Sequence, residues 1–430
     1  MPLAAEQVLA VTIGLSDTIM VANVGEAAVS GISLVDSINV LLIQIFSALA
    51  TGGAVIASQY IGKKSRKEAC CAAKQLLYSI TILASVIMAG CLFFRSPILY
   101  LIFGNIDADV MENADIYFEL TAISYPFLAI YNAGAALYRS MGNSKISMLV
   151  SLIDNIIHIA GNAVLIYGFG WGAAGAGAAT LAARAMAAVA MLVLICKKSN
   201  LIFIDHLFRP NIQLDMIWKI LRIGIPNGLE NGMFQIGKLI VQRTVTTFGT
   251  SAIAANAVCN SISGITAIPG NAVGLALITV VGQCVGAGDY KQAVYYTKRL
   301  MGTAYLAMGI MNAALFLTAG PLVGVYNLDA AASASAVQIL QVFAICSATI
   351  WAPSFTLPNA LRAAGDVRFT MLTSILSMWI FRIGFCYVLA DWMNMGLMGT
   401  WCAMFIDWGV RTVVFVTRFH GERWKQIRVI

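Results

Sequence analysis

The residues best suited to chemistry in this sequence are ionisable side chains inside long apolar stretches. Asp17 has apolar or small neighbours on both sides, and no basic residue lies near it in the sequence. A charge at the centre of a membrane span costs roughly 2.5–3.5 kcal/mol on insertion scales, so such residues are kept mainly for function. We therefore rank Asp17 first as a functional-site residue, ahead of a structural ion pair.

A second polar group recurs at every fourth position, as Asp154, His158 and Asn162. Residues four apart share one face of an α-helix, so these three side chains form one polar stripe. The helix that carries them runs outward, and this places His158 and Asn162 at a depth comparable to that of Asp17. We assign Asp154, at the inner end of the stripe, to a substrate cavity.

Further polar side chains lie in other apolar stretches. For Asn132 and Thr180, a place in the site and an ordinary interhelical hydrogen bond explain the pattern equally well. Glu230, Gln235 and Lys238 follow one another on a later stretch, where they balance charge or line a substrate cavity. Other in-span charges are assigned to structural pairs or span ends: Arg184, Arg382, Asp407 and Arg411.

Composition indicates that a membrane scaffold positions these residues. Of the 430 residues, 60% are apolar and 11% are charged, whereas soluble chains carry about 25% charged residues. Twelve stretches approach the roughly 20 residues that cross a bilayer. They are Pro2–Val24, Ile32–Ile56, Gln75–Phe94, Tyr117–Leu137, Ile146–Tyr167, Ala174–Cys196, Ile220–Phe248, Ile253–Gly282, Val294–Leu317, Ser335–Leu357, Phe369–Leu389 and Gly399–Thr417. The predicted fold is an all-α polytopic membrane protein.

The basic residues predict the orientation of these spans. With the N-terminus inside, nearly all Lys and Arg residues fall in inner loops, while the outer loops hold Arg95 and an acidic run over 107–119. The positive-inside rule then predicts a multi-pass protein of the cell membrane, inner or plasma, with a cytoplasmic N-terminus. This placement also argues against a nucleic-acid partner, despite the net charge of +7. No basic segment precedes the first span, so we expect no cleaved signal peptide.

The sequence contains an internal repeat at an offset of 224 residues. Pro2 and Glu6 match Pro226 and Glu230 at this offset. Further pairs are Gln59-Tyr-Ile-Gly62 with Gln283-Cys-Val-Gly286 and, one residue shorter, Arg139-Ser-Met-Gly142 with Arg362-Ala-Ala-Gly365. Two halves of six spans insert the same way up, so a pseudo-two-fold axis along the membrane normal relates them. We predict an N-terminal lobe over 1–197, a cytoplasmic linker over 198–218 and a C-terminal lobe over 219–430.

Taken together and in order, these motifs resemble the multidrug and toxic compound extrusion (MATE) family. The stretches that carry the resemblance are Asp17-Thr-Ile-Met-Val-Ala-Asn-Val-Gly25, Gln59–Gly62, Arg139–Lys145, Leu165–Gly168 with Gly172–Gly175, and their second-half partners. The resemblance implies twelve helices in two six-helix lobes that open outward in a V. It also implies secondary active antiport, in which organic solutes leave the cell in exchange for H⁺ or Na⁺.

The resemblance further implies that Asp17 is the ion- or proton-binding carboxylate, with His158, Asn162 and Thr180 beside it. One branch of the family has an Asn and an Asp where this sequence has His158 and Asn162, so the second carboxylate of that branch is missing. Another branch pairs an acid on helix 7 with an Asp on helix 10. The stretch Ser335–Leu357 contains no acid, and this argues against a cation site in the second half.

Composition also bears on the substrate and on competing functions. The 19 Met residues and 10% aromatic content suit a cavity that accepts flat, drug-like cations. We favour H⁺ as the coupling ion, because an imidazole at position 158 competes poorly for Na⁺ but titrates near neutrality. We expect a monomer with no metal, no other cofactor and no enzyme activity. The alternatives are a lipid-linked oligosaccharide flippase of the same superfamily and a membrane-embedded polymerase-type enzyme.

Overall fold

The structure, a computed structural model, describes the backbone of residues 1–22, 24–104, 106–207 and 211–430; the side chains of residues 13–19 and 22 are outside the description. Sixteen α-helices and no strand are found within this part of the chain. The helices are α1 Pro2–Ala22, α2 Glu26–Gly62, α3 Arg66–Phe93, α4 Arg95–Phe103, α5 Ala108–Ile123, α6 Tyr125–Ser140, α7 Ser144–Asn162, α8 Gly172–Ile195, α9 Leu214–Thr246, α10 Thr250–Thr266, α11 Ile268–Gly286, α12 Tyr290–Gly324, α13 Ala330–Cys346, α14 Leu357–Ala363, α15 Val367–Ser377 and α16 Gly396–His420.

Each of the twelve predicted spans falls on a helix or on consecutive helices, which confirms the all-α polytopic fold class. In the described residues, eight helical runs are long and apolar enough to cross a membrane, and nine are if the bent pair α5 and α6 counts as one span. That pair bends by 46° where Pro126 enters the first turn of α6. Proline is tolerated there because the first amides of a helix have no intrahelical partner.

Wide π-type turns interrupt three of the helical runs. They are Ala163–Gly168, Ser347–Thr356, Met378–Gly384 and Tyr387–Trp392. Pro353 lies in the second of these, and its missing N–H explains why the regular hydrogen-bond ladder stops there. A π-type turn changes the direction of the side chains that follow it, and such turns often lie at functional sites.

The described chain divides into two compact units, Met1–Gly228 and Leu229–Ile430. In the first unit, glycines allow close helix packing: a Cβ added to Gly31 would lie 2.8 Å from the backbone N of Ala114. The core of the second unit contains packed aromatic rings among its aliphatic side chains, and Phe343 packs edge-on against Trp401 with ring centroids 5.9 Å apart. The predicted lobes 1–197 and 219–430, with their cytoplasmic linker, are a statement about topology and stay a prediction.

The segment between α8 and α9 is fastened to α3 within the first unit. Arg66 Nε donates to the carbonyl of Leu201 at 2.9 Å. Gln75 makes two contacts, donating from Nε2 to the carbonyl of Asn211 at 2.6 Å and accepting from the backbone N of Gln213 at 3.1 Å. Because these bonds satisfy backbone groups, α3 orders a connection whose described residues, 196–207 and 211–213, form no helix or strand.

We expect a Gln75→Ala variant to expose this connection to protease. Two hydrogen bonds of about 0.5–1.5 kcal/mol each are lost, so the open population should rise about tenfold and cleavage with it. Limited trypsinolysis of purified protein, followed at Lys197 and Lys198, measures the change. Glu68→Gln, a surface change on the same helix, serves as the control. Equal cleavage rates in the two variants would contradict the fastening by Gln75.

Candidate functional site

The structure brings two of the predicted site residues into direct contact in the first unit. His158 Nε2 on α7 lies 3.0 Å from Thr180 Oγ1 on α8. The Thr180 hydroxyl is also 2.9 Å from the carbonyl of Ala176 and donates to it, so its oxygen is left to accept a hydrogen bond from His158 Nε2. Both side chains are buried, and Asn162, one turn further along α7, is fully buried. An imidazole held in this way can donate and accept protons away from bulk water.

Asp154 lies one turn before His158 and belongs to a wider charged group. Its Oδ1 is buried and has no hydrogen-bond partner among the described residues. The guanidinium of Arg184, on α8, acts electrostatically on Asp154 and on Asp36 of α2. Arg184 also donates from Nη1 to Ser124 Oγ at 2.7 Å. One arginine therefore serves two carboxylates in the first unit.

Asp36 anchors a hydrogen-bonded network across three helices. Its Oδ1 accepts from Tyr117 Oη at 3.1 Å and from Asn39 Nδ2 at 3.2 Å. Asn39 Oδ1 in turn accepts from Tyr125 Oη at 2.9 Å. From the sequence, Arg184 was assigned to a structural pair or a span end, and Asp36 could be assigned neither to the site nor to a structural pair. A charge inside an apolar span already marks both residues as candidates. Their interaction could not be predicted, because α2 and α8 are far apart in the sequence.

Asp17 and Asn132 also belong to the first unit. Asp17 lies on α1, and its side chain is outside the described residues. Helix α1 packs along α7, so the helix that carries Asp17 runs beside the polar stripe. Asn132 lies on α6, where its buried Nδ2 has no hydrogen-bond partner in the described part of the chain. Their proposed roles in coupling and in a substrate cavity stay predictions.

Glu230 occupies an ion pair that is repeated in both units. It accepts from Arg362 at 2.6 Å in the second unit, and Glu6 accepts from Arg139 at 2.6 Å in the first. Both partners in each pair are matched by the internal repeat, so the repeated helices carry a repeated contact. Glu6 also accepts from Ser147 Oγ at 2.8 Å. This pairing gives Glu230 a structural role beside its predicted place in a substrate cavity.

Lys238 lies in a group of cations around one aromatic ring of the second unit. Its Nζ is 5.1 Å from the ring centroid of Phe234, and the Cζ atoms of Arg382 and Arg411 are each 5.5 Å from the same centroid. Arg411 is neutralised by Asp407, with Nε 2.9 Å from Oδ1. Gln235, also on α9, is half-buried nearby in sequence. Lys238 was predicted as a site residue, but Arg382, which the Met378–Gly384 turn brings to it, was not.

The fold is that of a polytopic helical membrane protein with an internal repeat. The sequence model of the MatE family matches residues 2–164 and again residues 226–388. The chain belongs to the MatE family. The two matches are offset by 224 residues, which is the offset of the repeat found in the sequence. Relatives and structural neighbours are named as transporters, so the chain is a multi-pass membrane transporter rather than an enzyme.

Two curated relatives match essentially the whole chain. The uncharacterized transporter YisQ of Bacillus subtilis is 27% identical, over 99% of this chain and 93% of its own length. The probable multidrug resistance protein NorM of Thermotoga maritima is 24% identical, over 100% of this chain and 92% of its own length. This chain is therefore similar in length and sequence along its whole extent to named transporters.

Solved structures show the same fold. An outward-facing multidrug resistance MATE family transporter of the MOP superfamily has a TM-score of 0.92 at 18% identity, over 99% of this chain and 95% of that one. A MOP superfamily transporter from Pyrococcus furiosus, described as having a binding pocket of reverse polarity, has a TM-score of 0.89 at 18% identity, over 100% and 94%. At this identity the likeness concerns the fold, and it confirms the predicted fold class of twelve membrane-spanning helices in two lobes.

Proposed function

We propose that this chain is a secondary active antiporter that exports organic solutes from the cell in exchange for H⁺. The observation that supports it most is the buried His158–Thr180 contact beside Asp154 in the first unit of a MatE-family transporter. Intramembrane ionisable groups of this kind mark ion and proton pathways. The naming of relatives as probable multidrug resistance proteins supports organic solutes as the cargo.

The chemistry of this group favours H⁺ over Na⁺. A hard cation is held best by several oxygen ligands arranged around it. His158 supplies nitrogen at the centre of the stripe, and its Nε2 is already engaged by Thr180. Arg184 places a positive charge near Asp154 and Asp36, which further opposes a bound metal cation. Proton transfer to a carboxylate or imidazole needs no such ligand shell.

The proposed location is the cell membrane, and the proposed substrates are small organic solutes. The lysines and arginines of the inner loops support the cell membrane, with a cytoplasmic N-terminus, as the site of action. Partners would be small organic solutes and membrane lipid, with one copy of the chain as the working unit. The Met and aromatic content of the sequence supports a flat, drug-like cation as the solute.

Ion-driven transport in proteoliposomes tests the proposal. An imposed pH gradient should drive accumulation of at least one of two solutes, ethidium or 1-naphthalenesulfonate, while a Na⁺ gradient at fixed pH should not. His158→Ala should slow the transport driven by the pH gradient, because it removes the side chain that contacts Thr180 in the buried group. If the Na⁺ gradient alone drives transport, the coupling ion is Na⁺ rather than H⁺, and the assignment of the chain as an exporter still holds. If neither gradient moves either solute, the antiport proposal fails.

A further inference from the structure

We infer that the second unit contains a binding site for the anionic group of an aromatic organic solute, formed by Phe234, Lys238 and Arg382. The three side chains meet around one ring, with the Lys238 Nζ and Arg382 Cζ atoms 5.1 and 5.5 Å from the Phe234 centroid. The inference rests on the proposed export function for its biological meaning. It names a substrate class that the expectation of a cationic solute does not include.

Charge balance is the first support. Nearly every carboxylate of the second unit already has a partner or caps a helix. Glu230 pairs with Arg362, Asp366 with Arg418, Asp407 with Arg411 and Glu422 with Lys425, while Asp289 and Asp329 cap helices. Asp391 is exposed at the end of the Tyr387–Trp392 turn. Over residues 229–430, neither Lys238 nor Arg382 has a carboxylate within salt-bridge distance. Asp407, which pairs with Arg411, also acts electrostatically on Arg382. Lys238, Arg382 and Arg411 therefore share one nearby carboxylate, and the group keeps a net positive charge that a ligand can neutralise.

The accessibility of the group is the second support. Lys238 is exposed and Arg382 is half-buried, whereas Arg411 beneath them is only 2% exposed. On α9 the exposed apolar residue Ile236 is two positions from Lys238, or about 200° around the helix. An unpaired ammonium against lipid is costly, so Ile236 suits the lipid side and Lys238 suits a face wetted by water.

The aromatic surroundings are the third support. Phe234 packs edge-on against Phe355 at 6.2 Å, and Phe355 packs against Trp351 at 5.1 Å and Trp408 at 5.7 Å. These rings form an apolar wall beside the cations, against which a flat solute can stack. A site of this composition fits a ligand with both an aromatic body and an anionic head.

Arg382 offers a donor for that head. Its Nε is buried and makes no hydrogen bond with the described residues. A guanidinium binds carboxylate, sulfonate or phosphate oxygens through two parallel N–H groups, and these charge-assisted bonds are the strong ones in proteins. Leaving such a donor unused is costly. A ligand oxygen that accepts from Arg382 would satisfy this unused donor.

Binding to purified protein in dodecyl maltoside tests the inference without any need for transport. Equilibrium dialysis compares 1-naphthalenesulfonate with 1-naphthylmethylammonium, which has the same ring system and the opposite charge. We expect the anion to bind at least about tenfold more tightly, since charge-assisted bonds of this kind give such ratios. Equal or tighter binding of the ammonium compound would overturn the inference.

Variants locate the site. Lys238→Gln and Arg382→Gln should each weaken binding of 1-naphthalenesulfonate about tenfold, Lys238→Arg should retain it, and Lys238→Glu should reverse the preference toward the ammonium compound. Lys298→Gln removes an exposed cation of α12 and should leave the affinity unchanged. Each variant is first shown to elute as a monodisperse peak. Loss of binding in Lys238→Arg as well, or none in Lys238→Gln, would contradict the assignment.

A further arm separates the two sources of an anionic head. Dihexanoyl phosphatidic acid presents the same kind of oxygens on a lipid without an aromatic body. If it binds in a Lys238-dependent manner while 1-naphthalenesulfonate does not, the site takes a lipid headgroup and the aromatic-solute assignment is wrong. Because all these measurements concern binding, failure of ion-driven transport would overturn the antiport proposal and leave them standing.

Discussion

Ion-driven export is expected to fall to the level of empty vesicles when Asp17 is replaced with asparagine. The change removes one ionisable oxygen and nearly preserves volume, so the fold should persist. Helix α1, which carries Asp17, packs along α7 and its stripe of Asp154, His158 and Asn162. A carboxylate on this helix can load and release the coupling proton, and the amide of asparagine cannot.

Asp154→Asn provides the matched comparison, because it makes the same chemical change on the neighbouring helix. We expect slower export in this variant but not its loss, since Arg184 retains its interaction with Asp36. Proteoliposomes with equal amounts of each protein, energised by a pH gradient, give the two rates side by side. If export is unchanged in Asp17→Asn but lost in Asp154→Asn, the coupling carboxylate is Asp154 on α7 and not Asp17 on α1.

The span pattern and the repeat could be predicted from the sequence because both are local or periodic properties. Apolar stretches of bilayer length give helices in lipid without any knowledge of their neighbours. The match of Glu6 with Glu230, and of Arg139 with Arg362, already linked the same four positions, and the structure shows that each acid pairs with the arginine of its own unit. Here a repeated sequence pattern reflected a repeated contact.

Neighbours brought together from distant helices could not be predicted in the same way. Arg184 follows Thr180 by one turn, but nothing in the sequence indicates that Asp36, on α2, shares its charge. Arg382 lies in the Met378–Gly384 turn, where the wider helical period shifts side chains from the positions that a regular helix predicts. The sequence assigned Arg382 to a structural pair or a span end, and its place beside Lys238 and Phe234 depends on contacts between separate helical runs.

The charged groups of the two units differ in the balance of acids and bases. In the first unit, Arg184 acts on Asp36 and Asp154 together, so acids outnumber the base. In the second unit, Lys238, Arg382 and Arg411 surround one ring, and Asp407 is the carboxylate of residues 229–430 that acts on Arg382 and Arg411, so the bases outnumber the acid. A composition count over the whole chain averages these two environments. Only the contacts show that the charged group of the first unit and that of the second differ in the sign of their net charge.

Glu230→Gln is expected to lower the free energy of unfolding of the second unit by about 3–5 kcal/mol, because it leaves Arg362 charged and unpaired in a buried position. The two side chains are 8% and 12% exposed, so water screens the remaining charge only weakly. For a unit of this size, the loss corresponds to a drop of about 10 °C in melting temperature. Thermal unfolding of purified protein, followed by tryptophan fluorescence, measures it.

The double variant Glu230→Gln with Arg362→Gln makes this prediction specific to the ion pair. Removing both charges leaves no unpaired ion, so the double variant should unfold at a higher temperature than Glu230→Gln alone. The repeat predicts the same order for Glu6→Gln and its double with Arg139→Gln. Glu422→Gln is the control, because Glu422 is 72% exposed in its pair with Lys425 and exposed pairs contribute at most about 1 kcal/mol. If each double variant loses the sum of its two single losses, the pairs are not coupled and the repeated contact has no stabilising role.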